Sequence, residues 1–385
     1  MIRPFKIALA LLIGSASVPA LAQGGQAPTR DYMNDKFEVE RLLDWGSRPI
    51  WSPDSKRIVF TRDDHHAGPA YEMELATRKV TCLTCRWGPS GYVARIYYLP
   101  DGSYLVLAPP GLGTGETKLG DKSSQIDMGR TELYWMPADA SLPPQPLNAP
   151  AFGEIALDYK PLASGGARIA WGEFRPQFRT LTGEIVHKGD RAFLVNRTVV
   201  YPSPAGSAAA QVTFTETYDF VDDGKTLTFF TAEKGRAENG MFQMSLEDGR
   251  ISKLPTDGQH NETHVLPDER YGLEESNRAS DPSSPLRSVS GHDKPLLASL
   301  LKNNGVANAE ALANQYGGRT FDLYLLDRKT NKRRRLTNVS DIGGEANQSS
   351  PARDGQHIVF AIAPPKSGPF AGKGGLYVGT FSNRK

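Results

Sequence analysis

In the segment His260-Asn261-Glu262-Thr263-His264, two imidazoles and a carboxylate occupy alternate positions. On an extended strand, residues two apart share a face. His260 and His264 therefore form a candidate pair of ligands for a divalent metal ion, and Glu262 could join them or contact a sugar hydroxyl. The plainer reading is a set of polar residues bonded to water and neighbouring strands. The spacing is not the His-Glu-x-x-His zinc motif, which needs a helix. Asp158, Glu216, Asp219 and Gln348 fall on comparable segments, and Glu274, Glu275 and Arg278 follow at the end of the next strand. Carboxylates and guanidinium groups around one opening suit hydroxyl- or carboxylate-rich ligands. Ordinary surface ion pairs explain such a rim equally well.

Other motifs carry less chemistry. No Gly-x-Ser-x-Gly elbow occurs, which argues against a hydrolase of that kind. In Gly115 to Gly120 followed by Asp121-Lys122-Ser123 the phosphate-loop pattern is missed by one residue, and no helical pattern follows. Cys82 and Cys85 are the two cysteines. Fully extended, they would stand about 10 Å apart, whereas a bridge needs roughly 4.4 to 6.8 Å. A turn at Leu83-Thr84 would allow a disulfide; without one they are two thiols. The basic run Lys332-Arg333-Arg334-Arg335 lies where an outer strand is expected, and charge on an exposed edge deters pairing with other chains.

The elements that must position these residues are strands. Trp51-Ser52-Pro53-Asp54 recurs in degenerate form as Leu99-Pro100-Asp101-Gly102, Asp222-Asp223-Gly224, Leu266-Pro267-Asp268-Glu269 and Arg353-Asp354-Gly355, with a weaker copy at Ala163 to Gly166. Each copy sits between two apolar extended segments, and Pro, Asp and Gly suit the tight turn of a hairpin. Third and fourth strands follow, as in Phe321 to Leu325 and Arg333 to Thr337. The period is that of propeller blades. The expectation is an all-β, six-bladed β-propeller of four-stranded blades over residues 35–385. The strand at 35–44 closes the ring by completing the last blade. Long connections are expected between second and third strands, all on the side opposite the turns. The longest, at about 276–318, is expected to hold a small helical insert, because Asp293-Lys294-Pro295 opens an apolar run that ends at Gly305.

Arg3, Lys6, an apolar run from Ile7 to Val18 and Ala20-Leu21-Ala22 predict a signal peptide over residues 1–22, cleaved after Ala22, with a linker at 23–34. Removing it leaves 43 basic against 43 acidic residues, since Arg3 and Lys6 are lost from 45 and no acid is lost. A neutral chain argues against bulk nucleic-acid binding. No later segment is apolar enough to span a bilayer, so a periplasmic or secreted monomer is expected.

The repeated Trp-Ser-Pro-Asp motif, used along nearly the whole chain behind an export signal, resembles the TolB-like propeller-repeat proteins of bacterial envelopes. Asn261 to Ser276, followed by Phe321-Asp322-Leu323-Tyr324, is similar to a segment of TolB-like proteins distantly related to oligogalacturonate lyases. Too few residues lie between Ala22 and Trp51 for the extra N-terminal domain of TolB itself. The resemblance implies a binding or scaffold module whose partner is an envelope protein or an oligosaccharide. Its alternative is a metal-assisted polysaccharide lyase with its site at the channel mouth.

Overall fold

A computed structural model describes residues 30–62, 68–114, 130–162, 166–173, 178–201, 212–233, 240–254, 263–276, 321–342, 344–363 and 374–383, with a few positions between 298 and 311. The expected signal peptide, most of the linker, and His260, Glu262 and Arg278 lie outside the described residues.

The chain begins with β1 (Lys36–Leu43). It continues with β2 (Ser47–Trp51), β3 (Arg57–Thr61), β4 (Gly68–Glu74), β5 (Val80–Cys82) and the short β6 (Tyr92–Val93). Next come β7 (Arg95–Tyr98), β8 (Tyr104–Ala108), β9 (Glu132–Met136) and β10 (Gln145–Pro150). The middle of the chain gives β11 (Phe152–Asp158), β12 (Ala167–Glu173), β13 (Arg179–Lys188), β14 (Arg191–Tyr201), β15 (Val212–Val221), β16 (Thr226–Glu233), β17 (Gly240–Ser245) and β18 (Ile251–Lys253). It ends with β19 (Thr263–Val265), β20 (Tyr271–Ser276), β21 (Asp322–Asp327), β22 (Lys332–Arg335), β23 (Glu345–Pro351), β24 (His357–Ala363) and β25 (Gly375–Ser382).

These strands form an all-β propeller, but the expected six separate four-stranded blades need correction. Four separate sheets follow a four-strand path, one of them with β6 added beside β4, while the remaining eight strands form a single sheet ordered β14-β13-β12-β11-β15-β16-β17-β18. The join is a parallel contact between β11 and β15 at Leu157 and Asp219. The Thr217 hydroxyl cements it, donating to the Ala170 and Glu154 carbonyls at 2.8 and 3.0 Å and accepting from the Ala156 amide at 3.0 Å. Turn counting does not register such a seam. The helical insert is corrected as well: the helical elements whose bounds are described are the 3-10 turns Cys85–Gly91 and Val339–Ile342, and within 276–318 only scattered positions, 298–299, 302 and 309–311, are described as helical. Most of that segment lies outside the described residues.

β1 pairs antiparallel with β25 from Lys36↔Ser382 to Leu43↔Leu376, so the strand near the N-terminus is the outer strand of the sheet that ends the chain. Tyr32, just before it, donates to the Gly355 carbonyl and packs edge-on against Tyr271 and Phe381.

The turns show why the Asp recurs. Asp54, Asp101, Asp268 and Asp354 each accept the amide two residues on, at 3.1, 3.0, 3.1 and 2.7 Å. The residue after each Asp is left-handed, with φ of 56° at Ser55, 85° at Gly102, 56° at Glu269 and 66° at Gly355. The core lies between neighbouring sheets, where large side chains such as Trp171, Tyr98, Phe60 and Phe360 are fully buried. Trp51 adds a polar stitch, its indole N–H donating to the Ser350 carbonyl at 2.9 Å across a sheet boundary.

Candidate functional site

The first strand of each unit lies on the inside. β2 touches β7 and β23, β15 touches β11 and β19, and β19 touches β23. Tyr97 of β7 completes the circle, its hydroxyl donating to Glu154 of β11 at 2.7 Å. These strands line a central channel, running from the side of the long connections to the side of the Asp turns. The connections β3–β4, β8–β9, β12–β13, β16–β17, β20–β21 and β24–β25 are all second-to-third, so all six share the loop side; their middles lie outside the described residues.

Four inner strands break register, three near that side and the one in β15 nearer the turns. The shifts fall between Ser47 and Ile50, Phe152 and Ile155, Thr217 and Phe220, and Asn347 and Ser350. Bulges re-aim side chains and are frequent beside functional sites. Here they carry Arg48, Glu154, Asp219 and Gln348, with φ of 53° at Arg48 and 54° at Gln348. Gly153, at φ 73°, is the one position in this set where a side chain would not fit. A Cβ there would stand 2.3 Å from Glu216 Oε1.

The loop-side mouth is a compact set of opposed charges drawn from several sheets. Arg95 and Glu154 form a tight salt bridge, their side chains 12% and 8% exposed. Arg48 donates from its guanidinium to the Ala94 carbonyl and from its amide to Gln348 Oε1, both at 2.9 Å. Glu216 accepts from the Tyr218 hydroxyl at 3.2 Å. Burial pushes its carboxyl up to about 7, reinforced by the charge of Glu154 and opposed by Arg95, the Tyr218 hydrogen bond and Arg48. Glu275 Oε1 accepts the Ser349 amide at 2.7 Å and its hydroxyl at 3.1 Å. Its carboxyl is likewise pushed up to about 7 by burial, against those bonds and His264. Two carboxyls that titrate near neutrality beside arginines are groups able to hold or release a proton at working pH.

Further along the channel, Asp219 Oδ2 accepts the Val265 amide at 2.9 Å and faces His264 Nδ1 at 3.4 Å. Burial works against a charged imidazole, but Asp219, Glu154 and Glu275 outweigh it and raise the His264 pKa. With Nδ1 turned toward Asp219, His264 is one candidate ligand and Asp219 a second. Among the described residues no three His, Cys, Asp or Glu side chains converge as a metal set. Beyond the His264–Asp219 pair lies a cavity of about 40 Å³, lined by Tyr97, Tyr218, Ser350, Trp51 and Tyr159 among others. At roughly 10–15 Å³ per water by this measure, it has room for a few waters. Arg353 lies 3.8 Å over the Tyr159 ring at its turn-side edge.

The structure thus brings together Glu216, Asp219, His264 and Gln348, and sends two expected site residues elsewhere. Asp158 pairs with Arg168 at 2.6 Å toward the turn side. Glu274 is fully buried within its own sheet, held by Arg333 at 2.7 and 2.9 Å, and does not face the mouth. The basic run is engaged, not merely edge-facing: Arg334 donates to the Tyr32 carbonyl and Arg335 to Asp322. Cys82 and Cys85 are bridged across a Cα–Cα distance of 5.7 Å. Sequence reasoning passed over Arg48, Arg95 and Glu154. A signal existed for two of them: Arg48, Arg95 and Gln348 each stand six residues before a turn Asp, as do Glu216 and Glu262.

No protein-family model matches the chain, and no curated protein matches it. Among solved structures it is similar to TolB from Acinetobacter baumannii, with 8% identity, a TM-score of 0.44 and 88% of this chain covered. It is similar to the tricorn protease at 12% identity and a TM-score of 0.46, with 83% covered. It is also similar to an oligogalacturonate lyase solved in complex with manganese, at 11% identity and a TM-score of 0.42, covering 87% of this chain and 76% of that one. The chain spans 64% of the TolB chain and 25% of the tricorn chain, under two thirds of either. Among the described residues no helix is long and apolar enough to cross a membrane. TolB and TolB-like propellers are therefore among the structures this chain is similar to, and the likeness is one of strand arrangement.

Proposed function

We propose that this propeller is an exported binding module of the cell envelope that receives a protein segment or an oligosaccharide at its loop-side channel mouth. One observation carries the reading: Arg48, Arg95, Glu154, Glu216 and Glu275 arrive there from four sheets. Charges converging at one opening cost desolvation, and binding surfaces are where such costs are tolerated. Opposed guanidinium and carboxyl groups suit a ligand rich in hydroxyls and charge. Arrays of oligosaccharides and of peptides, probed with the mature chain and with Arg48→Gln, test this. Specific binding lost in the variant supports the reading; binding that ignores Arg48, or none on either array, refutes it.

A polysaccharide lyase is the second reading, favoured by Glu216, whose buried carboxyl titrates near neutrality beside Arg95 and would serve as a base. Incubation with polyuronates, followed by the ultraviolet absorbance of unsaturated products, tests it; loss of that absorbance in Glu216→Gln would assign the base.

A further inference from the structure

We propose that the cavity in mid-channel is a second ligand site, entered from the turn side, that takes a short-chain monocarboxylate: Arg353 holds the carboxylate at the rim and the hydrocarbon tail lies inside. The site is separate from the loop-side mouth and stands whether or not the mouth binds a protein or a glycan.

The rim supplies the charge. Arginines beside other turns are neutralised: Arg57 pairs with Glu72 at 3.2 Å, Arg168 with Asp158 at 2.6 Å and Arg270 with Asp327 at 3.0 Å. Arg353 is exposed, and among the described residues no carboxylate forms a salt bridge with it. Its partner is Tyr159, the guanidinium carbon standing 3.8 Å from the ring centroid. A guanidinium stacked on a ring keeps its N–H fork in its own plane, the geometry that receives a carboxylate. The ring also holds the cation in place beforehand, so little side-chain freedom is lost on binding.

Behind the rim the walls are apolar. Leu157 of β11 and Val265 of β19 are buried there, and half-buried Pro267 and Pro351 frame the turn-side entrance beside Tyr159. A volume of about 40 Å³ admits roughly three waters, hence a tail of about three carbon atoms. The inner end is closed by Asp219, whose Oδ2 accepts the Val265 amide at 2.9 Å and faces His264. A second carboxylate carried inward would be stripped of water among these walls and set beside Asp219. The ligand is therefore a monocarboxylate with its tail inward.

The test is titration of the purified protein with acetate, butyrate, octanoate, succinate and the neutral isostere butyramide, followed by NMR at the Arg353 Nε and the Leu157 and Val265 methyls. Butyrate should shift all three groups. Acetate, two methylenes shorter, should bind on the order of tenfold more weakly. Octanoate, too long for the cavity, and succinate and butyramide should each lose about tenfold or more relative to butyrate. Arg353→Gln, an exposed change that should leave the thermal melt nearly unmoved, should weaken butyrate about tenfold or more. Val265→Ile, which narrows the cavity, should weaken butyrate more than acetate. Butyrate binding that survives Arg353→Gln, an affinity indifferent to tail length, shifts confined to Arg48 and Arg95, or no binding by any of these acids would overturn the proposal. None of these outcomes decides the Arg48-dependent arrays, so the two readings fail separately.

Discussion

The two ends of the channel are built from the same strands and follow opposite rules. At the turn side one pattern is repeated: an Asp accepts the amide two residues on and a left-handed residue follows, at Asp54, Asp101, Asp268 and Asp354. At the loop side β2, β11 and β23 break register at Arg48, Glu154 and Gln348, and β7 and β15 add Arg95 and Glu216, so each strand contributes a different group. Regularity at one end holds the hairpins, where local hydrogen bonding is sufficient. Irregularity at the other end concentrates charge in low dielectric, where each side chain matters individually.

The comparison predicts unequal costs of substitution. Arg95→Met should cost most, about 3–5 kcal/mol in urea unfolding, because it leaves Glu154 buried beside Glu216 without its cation. A cost below about 1 kcal/mol would mean the mouth is wetter than its geometry states.

Glu216→Gln should have the opposite sign and depend on pH. The folded protein holds a proton on Glu216 up to about pH 7, whereas the unfolded chain releases it near the ordinary glutamate value of 4.5. Its contribution is therefore full below the unfolded value and is lost as pH rises through neutrality. Thermal melts above neutral pH should show the variant more stable than the parent, by on the order of 2 kcal/mol. In acid the two should converge; an equal gap at both pH values would contradict the assignment.

Turn-side changes should be smaller and local. Asp354→Ala loses the Gln356 and His357 amides and the His357 ring, and should cost about 1 kcal/mol in chemical denaturation. Arg353→Ala removes a cation from the Tyr159 face and should cost roughly 0.5–1 kcal/mol. Costs at Asp354 that match those at Arg95 would erase the distinction between the ends.

The hairpins, the outer strand at 36–43 and the side chosen by the long connections were legible in the sequence, because each follows from a short-range rule of turn chemistry or alternation. The blade count was not. Thr217 joins two units through one side-chain hydroxyl and one parallel contact, and no local pattern reports a seam between strands sixty residues apart. The site was legible in part. Glu216, Asp219, His264 and Gln348 stood out as polar residues on inner strands, yet the bulges that aim Arg48 and Glu154 are departures from alternation, and alternation was the rule in use. Glu274 misled because its chemistry suited a rim, while Arg333, 59 residues on and two strands over, holds it inside the sheet.

The most direct measurement is a pair of double-mutant cycles, Arg95 with Glu154 at the loop side and Asp354 with His357 at the turn side. Burial and mutual commitment at the mouth predict a coupling of about 2–3 kcal/mol for the first pair, and the exposed second pair should give under about 1 kcal/mol. Equal couplings at the two ends would contradict the account.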